Sequence, residues 1–437
     1  MLSSTTSAVG PPRVVQTRRG FTNTWLFAGM VISLFAVGLA FMLLFIGSHT
    51  GLTNLAWGVV FAVLPLGIVV PAFLWIDRFE PEPRLLLLVC FGWGACVATA
   101  ISLGGNTLFD RIVTSAGGTS TMTAVISAPI VEEIAKAAIV FLVFWLRRKD
   151  FDGVVDGIVL AGISAAGFAA TENILYLARA HMSAETTGLV TVFVMRGLIA
   201  PFTHPLFTAF TGVGIGIAAV TTRRWLKIIA PIAGLLIAMG MHALWNWSGS
   251  TGWFLIVFPL FEIPLFVAGV IAVFVMRRHE GQLIGRFLWD YVPSGWFSPG
   301  EVWMLAAMPR RKQARRWARR VGGKDALTAM RAFQNSASDL ALLRARVSRG
   351  TAGDDVEQDQ WGLLQNVNAA RDAFTPRQPG APLAAAPPPG QYAQVQPQRE
   401  FGFGSPMQPP PGPPPMQPPP IRGLQPGQPG PDFDPPD

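Results

Sequence analysis

The sequence predicts an all-α fold: a polytopic transmembrane helical bundle of about eight spans, followed by a partly helical and then disordered C-terminal tail. Three observations predict it. Only 14% of the 437 residues are charged and 51% are hydrophobic, whereas soluble domains carry about 25% charged residues. Apolar runs of spanning length recur through the first 276 positions. The remainder is polar, basic and proline-rich, and 22 of the 37 prolines follow Thr375. Together with a mean hydropathy of +0.40, the charge deficit argues against an ordinary soluble enzyme. Cys90 and Cys96 are too few for a disulfide framework and lack zinc-type spacing. The net charge of +8 sits mostly after Met276, where 19 Lys/Arg face 14 Asp/Glu. Cytoplasmic cations of a membrane protein give a pI near 10.2 without nucleic acid as a partner.

A spanning helix needs about 20 apolar residues, because it rises 1.5 Å per residue through about 30 Å of hydrocarbon. Eight segments qualify: 25–47, 55–76, 85–104, 121–146, 153–178, 188–220, 225–247 and 253–276. The first is longer than the 7–15 residues of a signal-peptide core, so it reads as a retained anchor. The sixth is too long for one straight helix. Pro201 and Pro205 break it, leaving a short helix to about Ala200 and a spanning one from about Thr203. Positive charge falls on alternate junctions: Arg13, Arg18 and Arg19; Arg78 and Arg84; Arg147, Arg148 and Lys149; Arg223, Arg224 and Lys227; Arg277 and Arg278. The other junctions hold only Arg111 and Arg179. This pattern predicts a multi-pass protein of the cell membrane with both termini in the cytoplasm. The chain thus divides into a cytoplasmic segment 1–24, a transmembrane domain 25–276, a basic and partly helical region 277–350, and a Pro/Gln/Gly-rich disordered tail 351–437.

Ionisable groups inside spans are costly and usually functional. The fourth segment holds Glu132, Glu133 and Lys136, and the fifth holds Glu172, Asn173 and Tyr176. The sixth holds His204 and Thr208, and the seventh His242 and Asn246. The spacing places Lys136 on either glutamate and pairs Glu172 with Tyr176, His204 with Thr208 and His242 with Asn246 on shared helix faces. Glu132 lies about 11 residues, or roughly 16 Å, below the outer end of its segment. The other groups also fall between the midplane and the outer surface, which predicts one shared site opening to the extracytoplasmic side. Carboxylates and imidazoles in such a pocket suit water activation. In this reading Asn246 orients the His242 ring, while Tyr176 and Thr208 position a substrate backbone. No His-Glu-x-x-His, Gly-x-Ser-x-Gly or deep aspartate pair offers another hydrolytic mechanism.

The order Glu132-Glu133-x-x-Lys136, Phe168-x-x-x-Glu172-Asn173, His204 and His242-x-x-x-Asn246, with the charged turn Asp77–Glu82, resembles the PrsW family of intramembrane proteases. More distantly it resembles the CAAX prenyl endopeptidases. The likeness covers about residues 55–250. It implies a peptidase acting on membrane-anchored protein substrates, of which anti-sigma factors are one kind. It implies Glu132 as the water-activating carboxylate with Glu133 beside it, Glu172, His204 and His242 completing the catalytic core, and Asn246 in support. The PrsW family is classed with metallopeptidases, whereas the prenyl endopeptidases fit a Glu/His-activated water without metal. If a divalent metal such as zinc is used, the resemblance implies Glu172, His204 and His242 as ligands.

Other readings start from the same residues. A transporter or proton relay could use these carboxylates and imidazoles, but no convincing internal repeat supports it. An inactive scaffold conflicts with the complete motif set. Arg196 is expected to pair with Glu185 or a lipid headgroup. Asp156 and Glu262 are read as packing polars, the cysteines as core, Trp25, Trp225 and Trp253 as interfacial anchors, and His49, His181 and His279 as solvated. The basic stretch 308–320 with Trp317 fits anionic lipid headgroups, at about 1 kcal/mol per cation, and equally a solvated helix. Apolar periodicity over 326–347 predicts a small helical hairpin. The Pro-rich run is a candidate ligand for other proteins.

Overall fold

A computed structural model describes residues 24–147, 151–353 and 355–374. The expectations for the N-terminal arginines, for Arg148 and Lys149, for the Trp25 side chain and for the Pro-rich run lie outside the described residues. Among the described residues the secondary structure is helical, with no strand. The chain forms two compact units, one of residues 21–278 and one formed mainly by the chain after Arg278.

The first unit holds α1 (Thr24–Thr50), α2 (Leu52–Ile76), α3 (Arg84–Ser115), α4 (Ala128–Leu146), α5 (Val154–Phe193), α6 (Thr203–Val220), α7 (Arg224–Thr251) and most of α8 (Phe254–Trp289). Among the described residues six stretches are long and apolar enough to cross a membrane, against the eight segments expected. The difference has two sources. The stretch Val154–Val220 runs two expected segments together. Helix α4 carries Glu132, Glu133 and Lys136 within 19 residues, and this charge keeps it out of the apolar set. The breaks inside Val154–Val220 are real. Helix α5 continues past residue 178, where its end was expected, and kinks at Ala184 and Glu185, the latter at φ 45°. A π-helical turn, Val194–Ile199, then leads into non-helical backbone at residues 200–202. Pro205 sits in the first turn of α6, where a missing N–H costs little.

The N-terminal half of α5 is the centre of this bundle. Asp156 through Phe168 are all buried. A helix buried all round needs small residues wherever a neighbour crosses closely. A Cβ on Gly157 would lie 2.0 Å from the Gly212 carbonyl oxygen of α6, and one on Gly167 would lie 2.0 Å from the Phe91 carbonyl oxygen of α3. Val69 and Phe73 of α2, Val140 of α4, Val159 and Ile163 of α5 and Ile215 of α6 fill the core around these crossings. The tight contacts bring α4, α5 and α6 near enough for their polar groups to meet.

In the second unit, α9 (Pro299–Leu305) starts on a capping box between Ser298 and Glu301. Helix α10 (Met308–Arg349) breaks at Gly322 and Gly323. Fully buried Arg311 ties this unit together, donating from Nε to the Leu305 carbonyl at 2.9 Å and from Nη2 to the Gln334 carbonyl at 3.0 Å. Two tail expectations need correction. The segment 326–347 is no hairpin of its own but the second part of α10, packed on another helix. That partner is α11 (Val356–Phe374), which lies where a disordered tail was expected to begin. Its Leu363, Leu364, Val367, Ala370 and Phe374 are buried at helical spacing, and Phe374 meets Phe333 of α10 with ring centroids 5.4 Å apart. The first proline after Gly350 is Pro376, so the low-complexity composition belongs to the sequence beyond this helix.

Candidate active site

Four helices deliver the site. Helix α4 presents Glu132, Glu133 and Lys136, all buried. Glu133 sits at the hub. Its Oε1 accepts from Lys136 Nζ at 2.6 Å and lies 2.9 Å from His242 Nδ1, and its Oε2 accepts from Thr208 Oγ1 at 2.8 Å. A carboxylate oxygen can only accept, so His242 carries its proton on Nδ1 and turns Nε2 toward Glu132 Oε2, 3.7 Å away. The second cluster runs through Glu172 of α5. Its Oε2 lies 2.8 Å from His204 Nε2 and pairs with Arg196 Nη2. His204 Nδ1 faces Lys136 Nζ at 3.2 Å. An ammonium can only donate, so His204 carries its proton on Nε2 and gives it to Glu172. The two imidazoles stand edge to face, with centroids 5.0 Å apart.

The structure therefore brings Glu132, Glu133, Glu172, His204 and His242 together, each carboxylate within 3.7 Å of an imidazole nitrogen. Their situations differ. Glu133 and Glu172 are engaged by donors, whereas Glu132 accepts from Asn106 Nδ2 at 3.2 Å through Oε1 and leaves Oε2 buried without a hydrogen-bond partner. Lys136 lies 3.9 Å from that oxygen and only 2.6 Å from Glu133, so it neutralises mainly Glu133. One ligand atom each from Glu132, His204 and His242 lie within 4.8 Å of one another. Glu132 Oε2 and His242 Nε2 are free to take a divalent cation, whereas His204 would first have to release Lys136 from Nδ1 or its proton from Nε2. This set differs from the expected one, because Glu172 Oε2 is occupied by Arg196 and His204.

The supporting residues act differently from their expected roles. Thr208 is fully buried and serves Glu133, so it does not face a substrate. Asn246 donates to the Ala124 carbonyl at 2.8 Å and ties α7 to the π turn Thr123–Ser127 before α4; the His242 ring is oriented by Glu133. Asn173 accepts from Arg196 Nε at 2.8 Å, and the Tyr176 ring lies 4.3 Å from the guanidinium. Sequence reasoning missed two participants. Arg196 pairs with Glu172, not with Glu185 or a headgroup. Asn106 lies beyond residue 104, where the third segment was expected to end, but α3 continues to Ser115. The polarity of Asn106 was its only signal.

A cavity of about 820 Å³ lies beside the cluster. Glu132 and Glu172 line it, with Asn106 and Asp110 of α3, Arg179 of α5 and Ser250 of α7. Thr99, Ser102, Asn106 and Asp110 share one face of α3 and make its wall polar. Asp156, Cys90, Cys96 and Glu262 are buried and do not line the cavity. His181 accompanies Asn54, at 2.5 Å, so it is not simply solvated.

A family model described as "PrsW family intramembrane metalloprotease" matches residues 82–276, a range that contains every residue of the cluster. Three curated relatives carry the name Protease PrsW. The protein from Geobacillus kaustophilus is 30% identical over 176 residues, 39% of this chain and 70% of that relative. The one from Oceanobacillus iheyensis is 29% identical over 147 residues, covering 33% and 62% of the two chains. The one from Clostridioides difficile is 29% identical over 154 residues, covering 35% and 61%. No solved structure gives a significant match.

Proposed function

Because the chain belongs to the PrsW family of intramembrane metalloproteases, we propose that it is an endopeptidase that hydrolyses peptide bonds of membrane-anchored proteins at the Glu132–His204–His242 cluster. The single observation that carries this reading is the orphaned Glu132 Oε2, buried at the cavity wall 3.7 Å from His242 Nε2. A water between these two atoms gives a proton to Glu132, attacks the scissile carbonyl, and Glu132 returns the proton to the departing amine. Glu133 holds the His242 ring, Thr208 holds Glu133, and Lys136 balances the paired carboxylates. Glu132, His204 and His242 are also the residues that would hold a divalent ion such as zinc, which when bound supplies Lewis-acid polarisation of a carbonyl.

The site opens to the extracytoplasmic side, with both termini in the cytoplasm. Asp110, Ser120, Arg179 and Ser250 line the cavity, and all four lie near span ends that the positive-inside count places outside. The substrate class that fits is a single-pass membrane protein of the anti-sigma-factor kind. On α10, Lys312, Arg316, Arg319 and Arg320 are exposed opposite buried Ala314 and Ala318, and this face takes anionic lipid headgroups. Wild-type protein in proteoliposomes is expected to cleave a single-pass reporter and to carry no proton-coupled flux. Flux without cleavage is the outcome of the transporter reading.

A further inference from the structure

We propose that Arg196 is a positioning residue for this reaction: it fixes the Glu172 carboxylate on His204 and pins the irregular chain that delivers His204 to the site. The inference rests on the hydrolase reading above. Arg196 lies in the π turn Val194–Ile199, the backbone leaves helical geometry at Ala200, and α6 with His204 starts at Thr203. Irregular backbone at membrane depth persists where protein groups hold it. Arg196 supplies three such holds, all on α5. Its Nη2 donates to Glu172 Oε2, its Nε donates to Asn173 Oδ1 at 2.8 Å, and its guanidinium lies 4.3 Å from the Tyr176 ring centroid.

Glu172 Oε2 transmits the constraint, because the same oxygen accepts the Nε2 proton of His204 at 2.8 Å. With Lys136 donating to Nδ1, that proton has Glu172 as its partner. Lys136 sets the tautomer of His204, and Arg196, through Glu172, fixes the direction of its ring, as outer carboxylates do for working imidazoles. Glu172 lines the cavity and Arg196 does not. Loss of Arg196 frees the carboxylate to turn into the cavity and leaves the substrate's own contacts in place. The effect falls on turnover. Lysine is an incomplete substitute, since one ammonium on a flexible stem cannot reproduce the fork that reads Glu172 and Asn173 together.

The test uses the full-length chain in proteoliposomes with a single-pass membrane-anchored reporter. Steady-state constants are measured for the wild type, Arg196→Gln, Arg196→Lys, Glu172→Gln and the Arg196→Gln/Glu172→Gln double variant. Arg196→Gln and Glu172→Gln are each expected to lose about 10–100-fold in kcat, with KM within about twofold. The double variant falls no further than the weaker single, and Arg196→Lys lies between wild type and Arg196→Gln. Wild-type kcat in either Arg196 variant, a loss carried by KM, or losses that multiply in the double variant overturn the proposal. Should Arg196→Gln fail to reach the membrane, Arg196→Lys decides by the same split of kcat from KM. A wild type that cleaves no reporter overturns the hydrolase reading itself, and this inference with it, whereas an active wild type with unaffected Arg196 variants overturns this inference alone.

Discussion

Glu132 and Glu133 are adjacent in sequence and do opposite work. Successive helical positions point about 100° apart, so one carboxylate faces α6 and α7 while the other faces the cavity. Glu133 accepts from Lys136, Thr208 and His242, and so holds the site together. Glu132 keeps one oxygen bare. The Glu-Glu pair was legible in the sequence as one functional unit, but the division of labour was not, because it depends on which neighbours each side chain meets. The same holds for Glu172. It was expected among the metal ligands, and the structure surrounds it with Arg196 and His204. Metal content separates the carboxylates. If protein purified from zinc-supplemented cells holds an ion, that ion is expected to be lost in Glu132→Gln and in His242→Ala and retained in Glu172→Gln, as measured by elemental mass spectrometry. Loss in Glu172→Gln alone would return that residue to the ligand set.

At the scale of elements, the site depends on how closely α5 approaches its neighbours. The Gly157–Gly212 crossing leaves no room for a methyl group. Gly157→Ala is expected to destabilise the bundle by about 1–3 kcal/mol, read as a lowered thermal midpoint of the detergent-solubilised protein; an unchanged midpoint would show that the crossing yields. Apolar length and proline placement made most of the helices and the break before α6 visible in advance. Three features were not visible. The extension of α3 past Gly104 carries Asn106 to Glu132, although Asn106, Thr107 and Asp110 interrupt the apolar run. The partner of Arg196 lies 24 residues back, across a kink at Ala184 and Glu185 that no local pattern marks. Helix α11 was masked by the low-complexity composition that follows it.

At the scale of the whole molecule, the charge pattern predicts the direction in which the cavity opens. Cavity residues Arg179 and Ser250 lie on the side that the arginine clusters assign to the exterior. Ser250→Cys and Arg179→Cys are expected to react with a membrane-impermeant maleimide in intact cells, and Arg223→Cys to react only after lysis. The reverse pattern would place the cavity toward the cytoplasm. The native Cys90 and Cys96 are buried and give a low background. All of this serves one claim, that a bare carboxylate beside an imidazole activates water within the membrane. The most direct measurement compares cleavage of a single-pass reporter by wild type and Glu132→Gln in proteoliposomes. The account predicts cleavage by the wild type and a loss of at least about 100-fold in the variant; cleavage by Glu132→Gln at the wild-type rate would contradict it.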